Sequence, residues 1–350
     1  MSYIATLTLP LIEKWQKDTL DKNERRDSVC GALDQFQRQT EGPRSILSDK
    51  VRANIKISAG IPVKIPVINN QAVTIGNARS CTISANEQTS ALITLNFFTM
   101  VSSFSIYPDQ FAFNYVGYQA DYETKLTNLI YNWRKYIDTY CRNILETNKN
   151  IYFPTNITNY FPVTGNALQV PQSAANDAFN QLHAVLNEMD MAYAAPSVIA
   201  STSTQPLIMR LKNQSSGNAI NEAFQLAPFN NWSWSNRVTN NTGIANTVYL
   251  VPDGNLAIEN RNLPGNLAKN KIGVDYKEWD EVMLPDLGMK VGTFYSKDCA
   301  DGSTPTGESI LTQTMVENFE FSTDICVVTA YNSSPSTQFT PILKVEISAT

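Results

Sequence analysis

Between Gln119 and about Asn148, apolar residues return at Tyr122, Leu126, Leu129, Trp133, Tyr136, Tyr140 and Ile144, and neither Gly nor Pro interrupts them. Steps of three and four residues keep such a stripe on one face of an α-helix. A helix of roughly 30 residues is ~45 Å long, whereas globular domains commonly use ~11 residues. The stripe is rich in aromatics, which fit packing and imply no cofactor. It predicts a strut with a sheet laid along it.

The segments around the strut read mostly as strands. No charge falls between Gln88 and Pro108, a span long enough to cross a bilayer. It nevertheless holds Asn96 and many Ser and Thr, and its apolar residues alternate. Ile93, Leu95 and Phe97 share one parity, while Phe98, Met100, Phe104 and Ile106 share the other. A parity switch predicts two strands or one bulged strand, so no membrane span is expected. Before it, Val51–Arg79 alternates Ile and Val with Pro62 and Pro66 interposed. Proline confines such strands to edges, so a long, thin hairpin turning at Asn69-Asn70 is expected. Leu9–Gln39 has helical spacing without a continuous apolar face. It predicts helices lying on partners, ended at Glu41-Gly42-Pro43.

After the strut, Ile151–Pro171 reads as a proline-marked loop, Ser173–Met191 as a helix, Ala195–Ala200 as a short buried strand and Pro206–Lys212 as a short helix. Asn213–Asn246 is polar and irregular apart from Trp232 and Trp234. Val248–Val251 is a strand closed by the turn Pro252-Asp253-Gly254-Asn255. From Lys271 the chain is β-like, with Glu317–Tyr331 and Thr340–Ile347 expected to form the last pair. The fold class is α+β.

Catalytic chemistry has little to stand on. The single histidine, His183, sits mid-helix beside Leu182 and Val185, which predicts a structural or surface role. No phosphate-binding glycine loop or nucleophile-elbow motif occurs. Cys30, Cys81, Cys141, Cys299 and Cys326 are widely spaced, which argues against a disulfide framework or a zinc site. Cys141 and Cys326 fit small buried hydrophobes. Ser296–Gly302 reads as a polar turn, and the acids of Tyr276–Glu281 as a solvated or intersubunit strand end. No catalytic, cofactor-binding or metal site is expected. Charged residues make up 17% of the chain, against a usual ~25%, which suits a surface covered by association. The net charge of −5 provides no global basic field for nucleic acid. Met1–Pro10 lacks the pattern of a secretory signal.

The order of elements resembles the major capsid protein of tailed bacteriophages, a fold shared with encapsulins and the herpesvirus capsid floor. The resemblance covers nearly the whole chain and is architectural, without a residue signature. It implies an N-terminal arm over 1–50, an extended two-stranded loop over 51–79, and a peripheral domain over 80–170 with its spine helix at 119–148. An axial (central) domain over 171–315 and strands returning to the peripheral domain over 316–350 complete it. In that family the arm and loop reach over neighbours, so Leu11, Trp15, Lys56, Lys64 and Arg79 become candidate subunit contacts. Some relatives cross-link a loop Lys to a neighbour's Asn, and Lys56 and Lys64 lie on the matching segment. The implied function is self-assembly, through hexamers and pentamers, into an icosahedral or prolate head shell. The implied partners are portal and scaffold or decoration proteins, with double-stranded DNA enclosed without sequence-specific binding. Assembly in the host cytoplasm and residence in the virion follow. An encapsulin-like nanocompartment shell would share the plan. A tail or fibre protein would lack the central helix, and a carbohydrate-active protein would use Trp232, Trp234 and Trp279 as sugar platforms.

Overall fold

The structure, a computed structural model, describes residues 3–16, 29–58, 62–68, 90–111, 114–175, 177–191, 196–215, 229, 231–262, 277–284, 287–300, 314–330, 336 and 339–349. Its helices are α1 (Tyr3–Gln16), α2 (Gly31–Glu41), α3 (Asp49–Ile57), α4 (Tyr115–Thr147), the single turn α5 (Thr155–Thr158), α6 (Ala178–Glu188) and α7 (Gln205–Ser215). The strands up to the last helix are β1 (Lys64–Ile68), β2 (Ser90–Thr94), β3 (Phe97–Ile106), β4 (Val163–Thr164), β5 (Ala167–Val170) and β6 (Pro196–Ser201). Those after it are β7 (Asn231–Ser235), β8 (Ile244–Pro252), β9 (Leu256–Arg261), β10 (Lys277–Leu284), β11 (Met289–Ala300), β12 (Thr314–Thr329) and β13 (Leu343–Ser348). Among the described residues, no helix is long and apolar enough to cross a membrane.

The strut is α4, 33 residues long and started by Asn114, whose side chain accepts a hydrogen bond from the Gly117 amide. One face lies on a five-stranded sheet ordered β10-β11-β12-β3, in which β9 also pairs with β12. Tyr122 meets Phe104 and Phe319 edge-on, and Phe104 stacks on Phe319 and Phe321. The parity switch resolves as expected: β2 and β3 are separate strands broken at Leu95-Asn96, and β3 turns Phe98, Phe104 and Met100 towards the core. Beyond Trp133 the buried apolar positions are Ile137, Cys141 and Leu145, not Tyr136 and Tyr140; Tyr136 is 58% exposed. Each four-residue step advances a helical face by ~40°. The face therefore rotates as the helix passes from the sheet to α2. Tyr136 and Tyr140 remain on its flank against Phe98, with ring centres at 6.1 and 4.1 Å.

A second sheet of six strands is ordered β4-β5-β13-β8-β6-β7. Its β6 is buried at every position, as its sequence predicts, and α6 covers it through Phe179, Leu182, Val185 and Leu186. Two expectations fail here. Ile151–Pro171 is not all loop, because β5 lies parallel to β13. The last two strands do not pair: β12 belongs to the five-stranded sheet, whereas β13 sits between β5 and β8. The turn after β8 likewise leads to the other sheet, and it requires glycine at Gly254, where φ is 94° and a Cβ would strike the Arg44 carbonyl at 2.3 Å. An axial unit over 171–315 therefore does not close on itself, since β9, β10 and β11 complete the sheet of β3 and β12.

The N-terminal helices also depart from expectation. Ile4, Leu7 and Leu11 of α1, with Ala32, Leu33 and Phe36 of α2, are buried in the main core of this same chain. The α2 face reads as polar because Gln35, Gln39 and Thr40 point inward. Gln39 Oε1 accepts the amides of Gly254, Asn255 and Leu256 at 3.0–3.1 Å, and Thr40 Oγ1 accepts that of Ile258 at 2.8 Å. Within Val51–Arg79, Val51–Ile57 is helical, not extended, because Ser48 and Asp49 start a helix that buries Ile55. The ribbon forms farther on, β1 pairing antiparallel with β2 from Lys64↔Thr94 to Ile68↔Ser90. Asn69-Asn70 and Arg79 lie outside the described residues.

Candidate functional site

Charged side chains tie the outer elements to α4 and its sheet. Asp138 is fully enclosed and accepts the Leu33 amide at 2.9 Å, capping α2 from outside, and the Ser235 hydroxyl at 2.6 Å. Burial pushes its carboxyl up, although those two bonds and Arg237 oppose the shift. Arg134 pairs with Asp34 at 3.3 Å on the adjoining turn. Lys14 binds Glu123 and so fastens α1. Glu317, 3% exposed, accepts the hydroxyls of Tyr118 and Tyr295 and pairs with Lys297 at 2.9 Å. At the far end Lys344, itself buried, reaches Glu146 at 3.1 Å and Glu346 at 2.9 Å. Burial would raise the Glu146 pKa, but hydrogen bonds from Lys149, Tyr249 and Lys344 outweigh it and hold it at about 2. These are paired structural charges. They bind the two sheets into one body.

The ribbon β1–β2 is fastened differently. Among the described residues its strands pair with each other alone, in a two-stranded sheet. Its root, through Val63 and Ile65, rests on a small cluster of Leu47, Ile55, Leu95, Ala257 and Cys326. Beyond the root Leu92 is 65% exposed, and Ile57 at the end of α3 is 79% exposed. A two-stranded ribbon is marginal in water by itself, and Leu92 is an apolar side chain that another surface could cover.

The residues singled out as subunit contacts fall into three groups. Lys56 and Lys64 are exposed, on α3 and β1 respectively. Leu11 is wholly buried in the chain's own core, so it is a folding residue and not available to a neighbour. Trp15 lies in the last turns of α1, but its side chain, like all of Arg79, lies outside the described residues. Leu92 and Ile57, exposed apolar residues, are not among them. A hydrophobic residue on a strand or helix reads as core until the partner of that face is known.

The positions weighed for chemistry are placed as follows. His183 is exposed on α6. Cys30, Cys141 and Cys326 are buried, and burial pushes the Cys326 thiol up to about 12. Ser296–Ala300 is not a turn but the end of β11, paired with β12. Trp232 and Trp234 stack on each other at 5.4 Å, and Trp232 also meets Phe179 edge-on. Its indole N–H donates to the Phe229 carbonyl, so this pair is engaged within the chain. Among the described residues no group of three or more His, Cys, Asp or Glu is arranged to hold a metal ion.

No family model and no curated protein matches the chain. Solved structures with a similar course include one from Mycobacterium phage Bobi, at 10% identity and TM-score 0.46, covering 93% of this chain and 92% of that one. Another, from Mycobacterium phage Cain, has 12% identity and TM-score 0.44, covering 93% and 92%. A capsid structure of cyanophage P-SCSP1u has 13% identity and TM-score 0.40, covering 84% and 85%. Likenesses of this extent leave the function to be read from the chain's own geometry.

Proposed function

We propose that this chain is the major shell subunit of a tailed-phage head, a structural protein that works through contacts with copies of itself. The observation that carries the reading is the ribbon β1–β2. It leaves a well-tied body, pairs with no other strand among the described residues, and holds Leu92 65% exposed. An apolar projection of this kind finds its missing surface on another copy. The strut supports the same reading, because a long helix along a sheet makes an extended plate with edges on which neighbours can abut. In this reading α1 and α2 belong to the plate, α3 is tied to β9 through Arg52 and Glu259, and the arm that reaches outward is the ribbon. The shell encloses double-stranded DNA, and hexamers and pentamers, portal and scaffold or decoration proteins complete the assembly. Electron microscopy of the purified chain tests it. Uniform particles, rings or sheets are expected. Discrete monomers at every salt, pH and scaffold condition tried would sink the reading.

A further inference from the structure

The solvent side of α4 carries a strip of positive charge in a chain whose net charge is −5. Lys135 and Arg142 lie two turns apart, ~10 Å along the axis. Lys135 Nζ stands 3.8 Å over the Tyr131 ring. Arg142 donates to Asn143 Oδ1 at 3.1 Å and Thr239 Oγ1 at 2.9 Å, and Arg237 donates to Asn236. These hydrogen-bond and ring partners are neutral, so they orient the cations without cancelling their charge; Arg237 also acts on a carboxylate, the enclosed Asp138. The carboxylates nearby are spoken for: Asp34 by Arg134, Glu146 by Lys149 and Lys344, while Asp138 is enclosed. Between the cations Thr139 is exposed, adding a hydroxyl.

Lys135 and Arg142, without an ion pair among the described residues and interleaved with hydroxyl, amide and aromatic groups, match a run of phosphates, which bind through charge and neutral donors without reading sequence. We infer that this strip contacts the phosphate backbone of nucleic acid, and that α4 presents it to the enclosed DNA. The second clause rests on the shell reading; the first does not.

Fluorescence anisotropy of the full, unassembled chain with a 30-base-pair duplex tests the strip. Three phosphate contacts predict a log–log salt slope of about −2 to −3. Lys135→Glu with Arg142→Glu should weaken binding at low salt by at least about tenfold, and Lys135→Arg with Arg142→Lys should keep it. Lys56→Glu with Lys64→Glu, on the ribbon side, should leave it unchanged. Absence of duplex binding by the wild type, equal loss in both charge-reversal pairs, or binding only to polyglutamate would overturn the inference. Microscopy of the same preparations separates the two claims. Duplex binding by a chain that never assembles would remove the shell reading and leave the strip standing.

Discussion

The body around α4 and the ribbon β1–β2 satisfy their surfaces in opposite ways. The body packs mainly on itself, although Tyr115, Val116 and Tyr136 of α4 stay exposed: aromatic side chains fill the space between helix and sheet, and nearly every buried charge has a partner on a different element. Among the described residues the ribbon is completed by its own ladder and a small root cluster. Substitutions in the body should therefore act on folding of the single chain, and those in the ribbon on association.

The sharpest way to break this contrast is a charge in the body's core. Leu126→Asp, at a fully buried position, should abolish the folded monomer, because an unpaired carboxylate there costs far more than ordinary stability. Soluble yield and near-ultraviolet circular dichroism would show it. Leu11→Asp should behave the same way, since Leu11 sits in the same core; a soluble Leu11→Asp monomer that fails only to assemble would return α1 to the associating side. Asp138→Ala should cost about 2–3 kcal/mol, because the Leu33 amide and Ser235 hydroxyl lose their buried acceptor. Urea titration measures it.

The Glu146 cluster gives a smaller, pH-dependent effect. Its carboxyl is held at about 2, below its ordinary 4.5. A depressed carboxylate contributes stability that is fully present above the unfolded value and lost as pH falls through the folded one. Wild type should thus weaken from about pH 4.5 towards 2, and Glu146→Gln should lose that component of the slope. Identical slopes would mean that the cluster is not what ties β8 and β13 to α4. Least of all, Leu92→Asp should shift monomer stability by no more than about 0.5 kcal/mol, yet prevent particle formation seen by microscopy. A large drop in melting temperature would place Leu92 in the chain's own core and erase the distinction.

What could be read from the sequence follows from the range of the interactions. The break between β2 and β3, α6 and buried β6 are local patterns and lie where their periodicity puts them; the strut does so as far as Trp133, beyond which its buried face departs from the Tyr136-Tyr140 stripe. The partner of β13 was not legible, because Val345 pairs with Leu168 and Val248, far away in the chain. The α2 face was hidden by chemistry: Gln35, Gln39 and Thr40 look solvated until the backbone groups they bind are known. The candidate contacts divide similarly. Exposure of Lys56 and Lys64 needed no tertiary knowledge, whereas the burial of Leu11 did.

Strand β12 carries a mechanical consequence. Its length is ~50 Å if fully extended, and it holds β3 along one edge while β11 and then β9 share the other. Tension along this strand is spread in shear over all three ladders together, whereas a pull at right angles peels the bonds one after another. A plate built this way is strongest along β12 and tears most readily across it.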